Sequence, residues 1–208
     1  MHVAATLKRG RIIAKGQGSR PPHATDFFYI GELALQCKFA LAAYGEIRTL
    51  VDAGSNDLGI LAYCHMMLVF AGNAAKLTHT ASKSSRTAKA RTERLRRRLN
   101  LQESERPEFL AARNYLEHFD ERMDRFLSSD RGLLLHRIVA PVVDTEVTLD
   151  DGRIFRASYL QAFETSTLTF HLYDQSVSLP VLASFLQSLE QSASKQEKLE
   201  QSNVQPAP

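Results

Sequence analysis

Two consecutive stretches, TDFFYIGELALQCKFALAAYGEIRTLV from Thr25 and SNDLGILAYCHMMLVFAGNAAKLTHTA from Ser55, leave this chain few ways to fold. Both repeat apolar residues at spacings of three and four, and the apolar positions nearly surround the helix axis. A helix of that kind has to be central in its domain or lie in a subunit interface. The first run reaches a stop signal at Ala53-Gly54, and the second has Ser55 or Asn56 as its candidate N-cap. Its most apolar part, Leu58 to Ala71, is shorter than the roughly 20 residues a bilayer span needs and contains His65, so it reads as a core helix. With 208 residues, 44% of them hydrophobic and 24% charged, the chain is long enough and apolar enough to bury a core without staples.

The remaining elements follow from shorter patterns. Residues 1–24 hold three glycines, two adjacent prolines and five cations (Lys8, Arg9, Arg11, Lys15 and Arg20), which reads as a basic, irregular or short-stranded arm. Ala88, Thr92, Leu95 and Leu99 recur at helical intervals and give a third, thinly amphipathic helix. A fourth helix is expected from Pro107, as N1 prolines mark helix starts, with Phe109, Ala112, Leu116, Phe119, Met123, Phe126 and Leu127 along one face. After Arg131 the period shifts towards two. TEVTLDDGRIFRASYL reads as a hairpin turning at Asp151-Gly152, STLTFHLYD as a third strand, and SLPVLASFLQSLEQ as a closing helix with Pro180 in its first turn.

The expected fold is therefore mainly α. A four-helix bundle over residues 25–130 carries a small antiparallel β-sheet and a closing helix appended C-terminally over 131–193. Residues 194–208, rich in Ser, Gln, Lys and Glu, are expected to be a disordered tail.

Charge is unevenly placed. Between Lys83 and Arg98 eight Lys or Arg face the single acid Glu93, so this segment carries +7 while the chain as a whole carries +3. Such asymmetry fits a polyanionic partner, with Arg91, Arg94, Arg97 and Arg98 as the residues to gather its phosphates, although a solvated helix face is the competing reading. Cys37 and Cys64 both sit in apolar runs and are expected to be buried free thiols, consistent with a cytoplasmic location. The seven histidines have no Cys or carboxylate partners at ligand spacing, so neither a structural metal nor a cofactor is expected.

On the fourth helix, ARNYLEHFDERMDRF sets Arg113, Asn114 and His118 within six residues. At 100° per residue Asn114 and His118 lie about 40° apart and point away from the apolar stripe. Imidazole exchanges protons near neutral pH, a guanidinium holds a phosphate through two hydrogen bonds, and an amide can orient either. Those are the requirements of RNA cleavage by the adjacent 2′-OH, a reaction that needs no metal.

Arg113-Asn114-Tyr115-Leu116-Glu117-His118 resembles the R-[N/D/H]-x-x-x-H motif of the HEPN superfamily, and the following FDER resembles a bacterial subgroup of it. Arg131 to His136 fits only a loose form, with Gly132 where Asn or Asp belongs, and reads as accidental. The resemblance implies a HEPN-like bundle whose motifs face each other across a homodimer. It further implies a metal-independent endoribonuclease, as in toxins and defence effectors, with Arg113, Asn114 and His118 catalytic. It equally admits a non-catalytic dimer that binds RNA, a nucleotide or a protein partner, and an antitoxin such as a minimal nucleotidyltransferase as partner. Asn73 on the second helix could support the motif or be satisfied locally. Tyr115 could stack on a base or pack at the core edge, and Glu117 could orient His118 or repel phosphate.

Overall fold

The long apolar run folds as α1 (Pro22–Asp52) and stops where the sequence offers a glycine. Gly54 takes φ +69°, its N–H donates to the Val51 carbonyl (2.9 Å), and the Ser55 N–H reaches back to Leu50 (3.0 Å). Those two bonds are a Schellman cap, which satisfies the last carbonyls of the helix. The second run folds as α2 (Gly59–Thr78), starting two to three residues later than Asn56 or Ser55 would place it. Leu58 occupies the N-cap position without a side-chain bond. Ser55 and Asp57 instead build the loop, the Asp57 carboxylate accepting from the Gly59 N–H at 2.7 Å. By length and composition α2 could cross a bilayer, yet half of the stretch is buried inside this fold.

The computed structural model describes residues 5–8, 11–14, 22–80, 84–101, 114, 117–128, 133–143, 146–172 and 175–204. Before α1 lie β1 (Ala5–Lys8) and β2 (Arg11–Ala14), paired antiparallel, so the described part of the basic arm is short-stranded. After α2 come α3 (Arg86–Arg98), α4 (Phe119–Leu127), β3 (Leu133–Ala140), β4 (Glu146–Thr148), β5 (Ile154–Glu164), β6 (Thr169–Leu172), β7 (Gln175–Ser178) and α5 (Leu179–Val204).

Two corrections to the sequence reading concern the C-terminal third. First, α5 does not end near residue 193 but runs to Val204, so residues 194–204 are helical and only 205–208 of the expected tail lie outside the described residues. Composition misleads here because the segment does not stand alone: Ala193 is fully buried and Ser194, Gln196 and Glu197 are half-buried. Second, α5 is not an appendage. Glu190 pairs with Lys38 (3.6 Å), and a methyl group on Gly31 would sit 3.5 Å from the Glu197 carboxylate, so α5 runs antiparallel along α1. Among the described residues the closing helix thus lies along α1 and belongs to the helical core. On the fourth-helix stripe Met123 is half-buried but Leu127 is exposed, and Phe109, Ala112 and Leu116 lie outside the described residues.

The sheet is mixed, not antiparallel. Its order is β3-β5-β6-β7 with β4 on β5, and β3 runs parallel to β5 from Leu133↔Ala157 to Ala140↔Glu164. LLLHRIVA, a continuous rather than alternating run, is the pattern of a parallel strand. The hairpin falls where expected: Gly152 takes φ +80° and its N–H bonds to the Leu149 carbonyl at 2.8 Å. Phe163, Phe170 and Val177, in register across β5, β6 and β7, form the sheet's inner face. That face meets α2, where the His65 ring lies 5.6 Å from that of Phe170. One apolar core runs from Ile30 and Leu33 through Met67 and Leu95 to Phe170 and Leu186, joining the two segments that composition separates at residue 131. Both cysteines are buried free thiols within it, and burial pushes Cys37 up to about 12.

Candidate functional site

The motif residues that the structure describes, Asn114, Glu117 and His118, are all exposed. They sit on one helical turn, closed by the His118 N–H donating to the Asn114 carbonyl at 3.1 Å. That turn leads into α4, whose first turn holds Asp120 and Glu121, favourable against the partial positive charge at a helix start. The His118 Nδ1 lies 3.9 Å from a Glu121 carboxylate oxygen, an ion pair only when the imidazole is protonated. Arg113 and Tyr115 lie outside the described residues.

An ion pair joins this turn to the bundle. Lys76 on α2 donates from its Nζ to the Glu117 carboxylate at 3.3 Å. Both groups are exposed, so the bond contributes less than about 1 kcal/mol and acts on position more than on stability. Asn73, one turn earlier on α2, is held across the helix pair. Its amide donates to the Gln36 side chain on α1 at 3.2 Å, which makes it a helix-packing contact. Among the described residues Lys76 is the α2 side chain that reaches the motif, and periodicity could not single it out because its partner is 41 residues away.

The basic helix α3 divides into tied and outward cations. Ser85 caps it, accepting from the Ala88 N–H at 3.2 Å, while Thr92 and Leu95 are buried against the neighbouring helices. Arg94 grips both oxygens of Asp26 at 3.0 to 3.3 Å, and Arg98 lies 3.8 Å from the same carboxylate, which is only 1% exposed. Arg91 donates to the Lys76 carbonyl (3.5 Å) and stacks its guanidinium 5.0 Å from the Tyr29 ring centre. Arg97, by contrast, is exposed and, among the described residues, bonds the Glu93 carbonyl of its own helix (3.4 Å). Of the four arginines expected to gather phosphates, three are engaged in holding α3 to α1 and α2.

Two features escaped the sequence reading. Arg86 and Lys89 are exposed together with Arg97, at intervals of three and eight, and make the outward cationic edge of α3. Arg96 donates to the His79 Nε2 at 2.9 Å, so His79 carries its proton on Nδ1 and donates to the Thr78 hydroxyl (3.0 Å). That chain of bonds closes the C-terminal end of α2. No family model, curated protein or solved structure matches this chain.

Proposed function

We propose that the protein is a metal-independent endoribonuclease of HEPN type that works as a homodimer. The observation that carries this reading is the motif turn itself. Asn114 and His118 stand exposed on one turn, beside Arg113 in the sequence, and Glu117 moors that turn to the bundle through Lys76. An exposed turn suits a macromolecular substrate, whose backbone must lie across the catalytic groups.

In this reaction a 2′-OH attacks the adjacent phosphorus and the P–O5′ bond breaks, leaving a 2′,3′-cyclic phosphate and a 5′-OH. One imidazole takes the 2′ proton and a second acid protonates the departing 5′ oxygen, so two facing copies of His118 supply both roles. Arg113 clamps the phosphate and offsets the charge of the phosphorane, and Asn114 fixes the geometry. The second copy would dock on the outer face of α1 and α2, where Leu35, Phe39, Met66 and Val69 remain exposed. The outward edge of α3 would gather RNA, a cytoplasmic substrate, and an antitoxin would cover the motif.

The expected result is cleavage of RNA by the purified protein in EDTA, with 2′,3′-cyclic phosphate ends, lost in His118→Ala. Cleavage that survives that substitution would overturn the reading. A non-catalytic dimer that binds RNA, a nucleotide or a protein partner is favoured by one observation: Asp120 and Glu121 stand exposed beside His118, where they repel phosphate. It predicts salt-dependent RNA binding without cleavage, unchanged in His118→Ala.

A further inference from the structure

Arg137 is an exposed cation fixed by a buried group. It stands on β3, at one margin of the sheet, in register with Gln161 of β5 and, one strand further, Leu172 of β6. Residues two apart along a strand share a face, so this row belongs to the inner face that carries Phe163 and Phe170. Gln161 is 2% exposed, and its side-chain oxygen accepts from the Arg137 Nε at 3.2 Å. That bond sets the direction of the guanidinium and leaves its two Nη groups to other acceptors.

Among the described residues no carboxylate pairs with Arg137, whereas Asp26, Asp52 and Asp151 face Arg94, Arg48 and Arg153. A neutral amide oxygen leaves its charge uncompensated. That charge reaches α2, where burial first and Arg137 second hold His65 below its ordinary value of 6.5. The His65 ring packs against Phe170, in the neighbouring row of the same face, so Arg137 emerges where the sheet margin meets α2.

The same flank of α2 leads to the motif turn. Lys76 follows His65 by eleven residues, about 20° from three full turns, so the two share a face of the helix and stand about 16 Å apart. Lys76 bonds Glu117, the residue before His118. An RNA strand carries a phosphate at every nucleotide, and roughly three to four nucleotides cover that span.

We propose that Arg137 binds a phosphate of the RNA strand a few nucleotides away from the bond that lies at His118. The Nη groups form the two parallel hydrogen bonds that a phosphate accepts, and the Gln161 bond fixes their direction before RNA arrives, which lowers the ordering cost of binding. Such a contact reads no base but does read length. The inference rests on the ribonuclease reading and adds to it a preference for strands long enough to span both points.

Cleavage of random-sequence RNA pools of three and twelve nucleotides by the wild type and by Arg137→Ala tests it. Arg137→Ala is expected to raise KM on the twelve-nucleotide pool roughly tenfold more than on the trinucleotide pool, to act on KM rather than kcat, and to lower the salt slope by about one. Arg137→Lys, which keeps the charge without the Gln161 geometry, is expected to fall between the two, and it carries the test if Arg137→Ala does not fold. Melting curves separate a structural role: a variant that melts earlier yet keeps the wild-type ratio of KM between the pools overturns the proposal. An equal rise of KM on both pools overturns it as well. If the wild type cleaves neither pool, the ribonuclease reading fails by itself, and fluorescence anisotropy of the labelled twelve-nucleotide pool decides on Arg137. Binding roughly tenfold weaker in Arg137→Ala then supports the phosphate contact, and equal binding or none overturns it.

Discussion

Asp26 shows how one buried carboxylate redirects a basic segment. At 1% exposure it would be strongly disfavoured alone, and the bidentate grip of Arg94 with Arg98 nearby compensates the lost hydration. Asp26→Asn keeps the shape but removes the charge that two guanidiniums face. Because Arg94 is 37% exposed and can rehydrate, the expected cost is about 2–3 kcal/mol, read from the midpoint of denaturant unfolding. Arg97→Ala should behave in the opposite sense: stability unchanged within about 0.5 kcal/mol, and the slope of log affinity against log salt for RNA reduced by about one. An equal loss of stability in both variants would mean that tied and outward cations do not differ. The sequence displays the eight cations of this segment without ambiguity. What it hides is the partner, since Asp26 stands 68 residues from Arg94 at the start of a helix chosen for its apolar residues.

Among the elements, the legible ones are those whose own residues decide them. α1 and α2 announce themselves by all-round apolarity, the α3 stripe by Thr92, Leu95 and Leu99, and the β4–β5 turn by Asp151-Gly152. The misread ones depend on a neighbour. β3 becomes a strand by lying parallel to β5, and α5 outlasts its apolar stripe because α1 offers Lys38 and the open surface at Gly31. A stop codon after Ala193 tests this. If residues 194–204 pack as described, truncation removes half-buried Ser194, Gln196 and Glu197 and uncovers Ala193, and the melting temperature should fall by about 3 °C or more. A solvated tail would leave it within about 1 °C. Of the candidate site, the chain positions of Asn114 and His118 were legible because a motif is local. Its mooring through Lys76 was not, because an ion pair across elements leaves no periodic trace.

At the scale of the whole molecule, the fold disfavours the charged form of two histidines, one where α2 meets the sheet and one on the sheet's opposite face. His65 on α2 faces Phe170, its Nε2 is buried without a hydrogen-bond partner, and burial, with Arg137 adding repulsion, holds it below its ordinary value of 6.5. His171, next along β6, bonds Ser176 through Nδ1 at 3.1 Å, has a similarly unpartnered Nε2, and is also held low by burial, against an opposing pull from Glu164. In the unfolded chain both imidazoles protonate as pH falls through 6.5, while in the fold they resist. Between those limits the unfolded state binds more protons, so stability is full above the unfolded value and is lost as pH falls below it. Glu164, held below its ordinary 4.5 by hydrogen bonds from Thr167 and Val143, loses its contribution only at lower pH, which separates the two windows. Melting temperatures measured at pH 7.5, 6.5 and 5.5 should therefore decline, and His65→Phe with His171→Asn should flatten the decline by about half. A slope identical to the wild type would show that stability does not depend on the charge of these two rings.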